Sequence, residues 1–252
     1  NAGTANLTIG TGGLSVDMSL AGGSAGFNII GSSGTDTIKG TGKADTFTIS
    51  SSGHGNSDVY DGAAGADTLK LSSGSHVFSS DANFTNIETV LTNASGSTVN
   101  LTGQTEGFTI TGGAGVDTIT GGAGVNVITG DAGNDIISGG ASADIITGGA
   151  GDDQLTGGAG ADTFNIDSGS DTITDMSAAD ILVISAGATV NGTISANYTA
   201  TGATTNAGTA NLTIGTGGLS VDMSLAGGSA GFNIIGSSGT DTIKGTGKAD
   251  TF

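Results

Sequence analysis

The chain has no cysteine, proline or tryptophan among its 252 residues, and only 4% of them are aromatic. Without cysteine it can form neither disulfides nor thiolate metal sites. With so few large side chains, a conventional packed globular core is not expected. Hydrophobic residues nevertheless make up 35% of the chain and recur at regular intervals, which argues against a disordered linker.

Positive charge is also scarce, since 5 basic residues, all lysine, face 23 acidic ones and the net charge is −18. Nucleic acid and anionic membrane surfaces repel such a chain, because binding to phosphates requires Lys or Arg. No run of apolar residues approaches the roughly 18 that a membrane-spanning helix needs. We therefore predict no nucleic-acid partner and no membrane span, and we expect the main partner to be a cation.

A long internal repeat organises the chain, because Asn1–Phe47 recurs letter for letter as Asn206–Phe252. The chain is therefore one unit of 205 residues followed by the start of an identical one, and we expect it to be a window on a longer tandem array. Stacked repeats grow along one axis and need no central core. The predicted parts are apolar coils with a short acidic cluster over 1–70, apolar coils and a loop over 71–111, a main array over 112–183, a joint over 184–205 and the next unit from 206 to 252.

A shorter repeat of nine residues lies inside this unit. Six nonapeptides follow one another from Gly112 to Asn165: GGAGVDTIT, GGAGVNVIT, GDAGNDIIS, GGASADIIT, GGAGDDQLT and GGAGADTFN. Two further turns, IDSGSDTIT and DMSAADILV, keep the same phase. The sixth places of the eight turns are Asp117, Asn126, Asp135, Asp144, Asp153, Asp162, Asp171 and Asp180.

This G-G-x-G-x-D-x-U-x pattern resembles the calcium-binding nonapeptide of the RTX (repeats-in-toxin) proteins, which form a parallel β-roll. The letters have a physical reason, because glycine permits tight turns with positive φ and aspartate supplies the hard oxygen ligands that Ca²⁺ prefers. No His or Cys accompanies the acids, so zinc and softer metals are poor candidates. One isolated Gly-Asp turn would be a solvated bend, but eight turns in one phase are typical of the family.

The resemblance implies that two nonapeptides make one coil, so that sixth places in alternate turns lie above one another and share calcium ions. Two columns of ligands follow. One holds Asp117, Asp135, Asp153 and Asp171, and the other holds Asn126, Asp144, Asp162 and Asp180. Asn126 keeps an oxygen but lacks the charge, so its site should be weaker.

A second, smaller calcium cluster is predicted in the opening segment. Its sixth places are Asp36, Asp45, Asp58 and Asp67, and the repeated segment adds Asp241 and Asp250. The phase slips by four residues around Ser50–Gly53. If those residues bulge out, Asp36 stacks on Asp58 and Asp45 stacks on Asp67.

Where the acid is missing, an apolar residue takes the sixth place, as at Val90, Val99 and Phe108. The eighth place stays apolar, beginning with Leu20 and Ile29, and should point inward. We therefore predict an all-β fold, a parallel β-solenoid in which RTX-type coils alternate with metal-free apolar coils.

Three segments depart from the period. Residues Ser72–Asn83 are irregular and are predicted to form a surface loop, and His54 and His76 are predicted to be solvated. The stretch over 184–205 is either the joint between units or further coils without metal.

Nothing in the sequence indicates catalysis. No nucleophile motif such as G-x-S-x-G occurs, and nothing brings Glu88 and Glu106 into one pocket as an acid–base pair. We therefore predict that the protein is not an enzyme.

The pattern instead favours a calcium-stabilised extracellular structural protein. Without calcium the stacked carboxylates repel and the glycine-rich chain has much entropy to lose, so that ion binding drives folding. RTX-like proteins are typically exported unfolded by type I secretion, so the resemblance implies a location outside the cell or on the bacterial surface. We predict a surface fibre, matrix filament or adhesin stalk, with other copies of the chain as partners. The alternatives are a surface-layer lattice protein, the secretion and folding module of a larger exported enzyme or toxin, and an ice-binding protein that uses its outward threonine pairs.

Overall fold

A computed structural model describes residues 5–10, 12–50, 57–215 and 217–252. It divides into two compact units, Asn1–Gly124 and Val125–Phe252. Within each unit, short β-strands from successive coils pair in parallel, so each unit is a parallel β-solenoid and the predicted all-β fold class is confirmed. The compact units do not follow the 205-residue repeat, whose boundaries stay a prediction.

In the described part of the first unit the strands form three parallel rows, and a 3₁₀ turn spans Asp81–Asn83. The strands are β1 (Ala5–Thr8), β2 (Ser15–Asp17), β3 (Phe27–Ile30), β4 (Thr37–Lys39), β5 (Thr46–Ile49), β6 (Val59–Asp61), β7 (Thr68–Leu71), β8 (Gly74–Val77), β9 (Phe84–Thr85), β10 (Thr89–Leu91), β11 (Ser97–Asn100), β12 (Thr109–Gly113) and β13 (Thr118–Thr120). The rows run β1-β3-β5-β7-β10-β12, β2-β4-β6-β9 and β8-β11-β13.

The second unit has the same design. Its strands are β14 (Val127–Ala132), β15 (Ile136–Gly140), β16 (Ile145–Ala150), β17 (Gln154–Gly158), β18 (Thr163–Ile166), β19 (Ser170–Met176), β20 (Ile181–Ile184), β21 (Thr189–Ile194), β22 (Tyr198–Thr199), β23 (Thr205–Asn206), β24 (Thr209–Ile214), β25 (Ser220–Asp222), β26 (Gly227–Gly228), β27 (Asn233–Ile235) and β28 (Thr242–Lys244). The rows run β14-β16-β18-β20-β23-β26, β15-β17-β19-β21-β24-β27 and β22-β25-β28.

The length of a coil differs along the chain. Between β14 and β20 the strand register repeats every 18 residues, so two nonapeptides make one coil as predicted. Over residues 59–111 of the first unit the strand register repeats every 20 to 24 residues. The longer coils enclose a wider interior.

Each strand turns alternate side chains inward, as a pleated strand must. In the narrow coils the eighth places, such as Ile128, Ile137 and Ile146, are fully buried, while the seventh places Val127 and Ile136 stay 40% and 48% exposed. Two columns of aliphatic side chains, one from each main strand row, therefore fill the space between those rows.

The wider coils of the first unit hold aromatic side chains. The ring centroid of Phe84 lies 4.2 Å from that of Phe78 and 6.0 Å from that of Phe108. Phe47 and Tyr60 make an edge-to-face pair at 5.8 Å. All five rings are buried, so these coils have a conventional hydrophobic interior.

The structure contradicts two predictions for the irregular segments. The prediction of a surface loop over Ser72–Asn83 is wrong, because β8 lies within this segment and both His76 and Phe78 are buried. His76 is not solvated, since its Nε2 lies 2.9 Å from the carbonyl oxygen of Ser72. His54 and most of the phase slip lie outside the described residues.

Two further points concern the apolar periods. The inward orientation predicted for Leu20 is wrong, because its side chain is 97% exposed in a turn that the N–H of Ala21 closes on the carbonyl of Met18. Over 184–205, β21 and β22 bury Val190 and Tyr198, so this stretch forms further coils.

The described part of the chain has no helix long and apolar enough to cross a membrane.

Candidate metal centres

The acidic sixth places of the second unit form two rows, as the 18-residue coil requires. In the first row, the backbone N–H of Asp135 donates to Oδ1 of Asp153 at 2.8 Å, and the N–H of Asp153 donates to Oδ1 of Asp171 at 3.0 Å. In the second row the same bond joins each residue to the one 18 positions later, at 2.7 to 2.9 Å: Asn126, Asp144, Asp162 and Asp180.

These bonds use only one oxygen of each carboxylate. Oδ2 of Asp144, Asp153 and Asp171 is buried and has no hydrogen-bond partner. An unpaired buried carboxylate oxygen is costly, because it has lost its water and gained nothing in return. A cation at this oxygen would remove the cost.

In the turns of Asp144 and Asp153, the glycine at place one completes the cradle around this oxygen. A β-carbon added to Gly139 would lie 2.5 Å from Oδ2 of Asp144 and 2.7 Å from the carbonyl oxygen of Gly157, one coil further on. A β-carbon added to Gly148 would collide with Oδ2 of Asp153. Only glycine therefore fits at place one of these two turns, and its absent side chain leaves a space lined by carboxylate and carbonyl oxygens.

The donor set of this space fits calcium. Ca²⁺ takes 6–8 oxygen ligands and accepts backbone carbonyls together with carboxylates. Within the described ranges, no group of three or more His, Cys, Asp or Glu side chains converges on one point. Carbonyl oxygens of the glycine turns must therefore supply much of the coordination, which explains why glycine is needed beside the acids.

The first unit contains two shorter acidic rows of the same kind. The N–H of Asp36 donates to Oδ1 of Asp58 at 2.9 Å, and the N–H of Asp45 donates to Oδ1 of Asp67 at 2.6 Å, which confirms the stacking predicted across the phase slip. Oδ2 of Asp67 is buried without a hydrogen-bond partner. Elsewhere in this unit, Oδ1 of Asp117 accepts the N–H of Ser97 at 2.7 Å.

Glu88 continues the row of Asp45 and Asp67, and sequence reasoning missed it. Its Oε2 accepts the N–H of Asp67 at 2.7 Å. Glu88 precedes β10 as Asp67 precedes β7, and the two strands pair with Thr68 opposite Thr89. The spacing of 21 residues is not a multiple of nine, so the nonapeptide phase could not reveal it.

Two acids at glycine places were also missed in the second unit. Oδ1 of Asp167 accepts the N–H of Gly149 at 3.2 Å, and Oδ2 of Asp175 accepts the N–H of Gly158 at 2.8 Å. Each acid stands one coil after the glycine turn whose N–H it accepts. The visible signal was an acid in place one or two of the last two turns, where the earlier turns mostly have glycine.

Burial decides the charge state of these rows in the absence of metal. It raises the pKa of Asp171 to about 7 and that of Asp162 to about 6, although N–H donors from the preceding coil oppose the shift. Burial likewise raises the pKa of Asp67 to about 6. Neighbouring carboxylates add to each rise, so the rows resist full ionisation at neutral pH.

A comparison with known families decides the nature of these turns. The family model of the RTX calcium-binding nonapeptide repeat matches the chain in four copies, over residues 30–69, 109–137, 138–173 and 228–252, which together cover just over half of it. This chain belongs to the RTX calcium-binding nonapeptide repeat family. A search of curated proteins gave no match.

Calcium is therefore the ion of this RTX chain, and the protein is a calcium-binding repeat protein with a β-solenoid fold. The RTX repeat solenoid is in general a structural and non-catalytic fold. The match covers the second unit's glycine turns, whose buried oxygens fit the ion, and it also covers the shorter acidic rows of the first unit.

Proposed function

We propose that the sixth-place residues of the glycine turns hold calcium through the carboxylate oxygen that faces the cradle. The unpaired Oδ2 atoms of Asp67, Asp144, Asp153 and Asp171 support this assignment most directly. The other sixth-place residues that we assign to this role are Asp58, Asp117, Asn126, Asp135 and Asp162. Asp180 ends the second row, and its Oδ2 instead accepts the N–H of Ser177 at 2.6 Å. Bound calcium would neutralise stacked carboxylates and join adjacent coils.

Ion binding and folding are then one process. Carboxylates buried in rows oppose folding while they are charged, and the glycine-rich chain loses much conformational entropy on ordering. Extracellular calcium modules bind at about 10⁻⁴–10⁻³ M, well above the calcium level of a cytosol. The calcium-dependent coils would stay open inside the producing cell and fold after export, outside the cell or on its surface.

The function that this design supports best is a structural one: a surface fibre, matrix filament or adhesin stalk made of tandem units. The observation behind it is that the repeated sequence makes the same contacts in both copies. The N–H of Phe27 donates to Oδ1 of Asp45 at 2.6 Å, and the N–H of Phe232 donates to Oδ1 of Asp250 at 2.9 Å. The contacts of each copy therefore depend on its own sequence and its neighbouring coils, so further units can be added without changing the existing ones.

Electron microscopy of a chain with three complete 205-residue units tests this proposal. In millimolar calcium we expect rods whose length grows with the number of units, and a chain of one unit is the matched control. Compact particles of unchanged length would contradict the filament. Two-dimensional sheets would favour the surface-layer alternative instead.

A further inference from the structure

Nine glycine turns of this protein take one of two forms, which the residue at place two separates; Gly113 and Gly122 occupy place two without a positive φ and belong to neither form. In one form, called the open turn, place two has a positive φ, as at Ala63 (72°), Asp131 (74°), Gly140 (134°), Gly149 (107°) and Gly158 (98°). In the other form, called the closed turn, place two is a serine or threonine whose φ is not positive. The closed turns have Ser32, Thr41, Ser237 and Thr246 at place two.

In the closed turn, place two binds the aspartate of its own turn. The N–H of Ser32 donates to Oδ2 of Asp36 at 2.7 Å, and its Oγ lies 2.9 Å from Oδ1 of the same carboxylate. Thr41 binds Asp45 in the same way. Its N–H donates to Oδ2 of Asp45 at 2.7 Å, and its Oγ1 lies 2.9 Å from the same oxygen.

The second copy of the sequence repeats this closure independently. The N–H of Ser237 lies 2.7 Å from Oδ2 of Asp241, and its Oγ lies 2.9 Å from the same oxygen. The N–H of Thr246 donates to Oδ2 of Asp250 at 2.8 Å. Because the two copies lie in different coils of the chain, the closure belongs to the local sequence.

The open turn directs the N–H of place two elsewhere. The N–H of Ala63 donates to Oδ1 of Asp61, and that of Gly149 donates to Oδ1 of Asp167. The outer oxygen of the sixth-place aspartate is then left without a donor, as it is in Asp67 and Asp153.

The closed turn does not fit calcium. An N–H and an O–H already point at the oxygen that would face the ion, and a backbone N–H cannot act as a ligand. The remaining oxygen is also engaged, since Oδ1 of Asp36 accepts the N–H of Leu14 at 3.0 Å and Oδ1 of Asp45 accepts that of Phe27. A calcium ion would have to displace all of these donors from one carboxylate.

We infer that in these nine turns place two decides whether the turn binds calcium, and that the closed turns of Asp36, Asp45, Asp241 and Asp250 are metal-free. The hydroxyl and N–H of place two take over the role of the ion. The family match over 30–69 and 228–252 therefore includes turns that fold without calcium. Each copy of the repeated segment begins with coils that need no metal, and these can order before calcium reaches the open turns.

Calcium counting by isothermal titration of the full chain tests this inference. Replacing the four place-two residues by glycine (S32G, T41G, S237G and T246G) allows positive φ and removes the hydroxyls, so we expect the variant to bind additional ions. The matched control is S33G with S238G, which changes the exposed neighbouring serines and should leave the count unchanged. An unchanged count in the folded four-glycine variant would overturn the inference.

A measurement on the unaltered chain covers the case in which that variant does not fold. Carboxyl ¹³C resonances followed during a calcium titration should move for Asp144 and Asp153 and stay fixed for Asp36 and Asp45. Equal movement of both groups would overturn the inference. The inference rests on the proposed calcium binding at open turns, and if no carboxyl resonance moved, that proposed function would fail instead.

Discussion

The narrow coils between β14 and β20 and the wide coils over residues 59–111 solve the same packing problem differently. The narrow coils bury two aliphatic columns, one with Ile128 and Ile146 and one with Ile137 and Leu155, and beside them two rows of aspartates. The wide coils bury aromatic rings in contact, such as Phe78 and Phe84, and have one short acidic row that includes Asp67 and Glu88. Both kinds have the same parallel strand pairing, so the backbone ladder alone does not explain what stabilises either of them.

We infer from this difference that coil width determines the source of stability. The 18-residue coils between β14 and β20 have mostly aliphatic eighth places, although they also bury the ring of Phe164. Their buried carboxylates oppose folding until an ion neutralises them. We expect a wider coil to bury enough apolar surface to fold without metal.

The largest effect should come from removing a ring of the wide coils. Phe84→Ala is expected to lower the free energy of unfolding of the first unit by about 3–5 kcal/mol, because the ring contacts both Phe78 and Phe108. The loss should be equal in calcium and in chelator. Urea unfolding followed by Tyr60 fluorescence in a Tyr198→Phe background would measure it, with Phe164→Ala as the matched change in a narrow coil. A loss that appears only in calcium would remove the distinction between the two coil types.

Asp153→Asn should have a smaller effect, lowering the calcium affinity while raising the stability of the metal-free chain. The substitution removes a charge from the middle of a row, so calcium affinity should fall by roughly tenfold, or about 1.4 kcal/mol. The metal-free narrow coils should become more stable, because the buried oxygen no longer carries a charge. Calcium titration calorimetry and chelator-state unfolding would measure the two effects.

The control for this change is Asp152→Asn, which removes an exposed charge one residue away. Its Oδ1 accepts the N–H of Ser170 at 2.9 Å, a bond that asparagine can keep, and Asn134 occupies the same place in the preceding coil. If both variants lost the same calcium affinity, general charge rather than the row would be responsible.

The smallest effect concerns pH. Burial raises the pKa of Asp171 to about 7 and of Asp162 to about 6, above the ordinary value of 3.8. Their protonation therefore stabilises the metal-free fold at low pH, and that stability is lost as pH rises from about 4 through about 7. In chelator, circular dichroism should show more strand at pH 5 than at pH 8, and Asp171→Asn should reduce the difference. With calcium present the trend should reverse, because protons compete with the ion. A pH-independent chelator spectrum would show that these carboxylates do not control folding.

The sequence predicted the regular part of this molecule well, because a nonapeptide repeat can determine a coil only when two repeats fill it. The stacking of Asp144 on Asp162, and even that of Asp36 on Asp58 across a slip, follows from counting residues. Glu88 escaped detection because the wide coils take variable lengths that their aromatic packing sets. Leu20 escaped because a tight turn displaced it from its period.

The distinction between open and closed turns was also beyond the repeat pattern. Asp45 and Asp67 both occupy a sixth place, yet Thr41 donates to the outer oxygen of one, and Ala63 leaves that of the other unpaired. In this pair the place-two N–H points in different directions, and Ala63 has a positive φ whereas Thr41 does not. A consensus that scores only glycine and aspartate treats the two turns as equal.

Amide hydrogen exchange of the full chain in calcium and in chelator, resolved by region, tests the central claim most directly. In chelator we expect the strands around Ile146 and Leu155 to exchange as an unfolded chain, while those around Val90, Val99 and Ile110 stay protected. Calcium at millimolar concentration should restore protection in the narrow coils alone. If both regions lost protection together in chelator, or if the narrow coils stayed protected without calcium, coil width would not determine the source of stability.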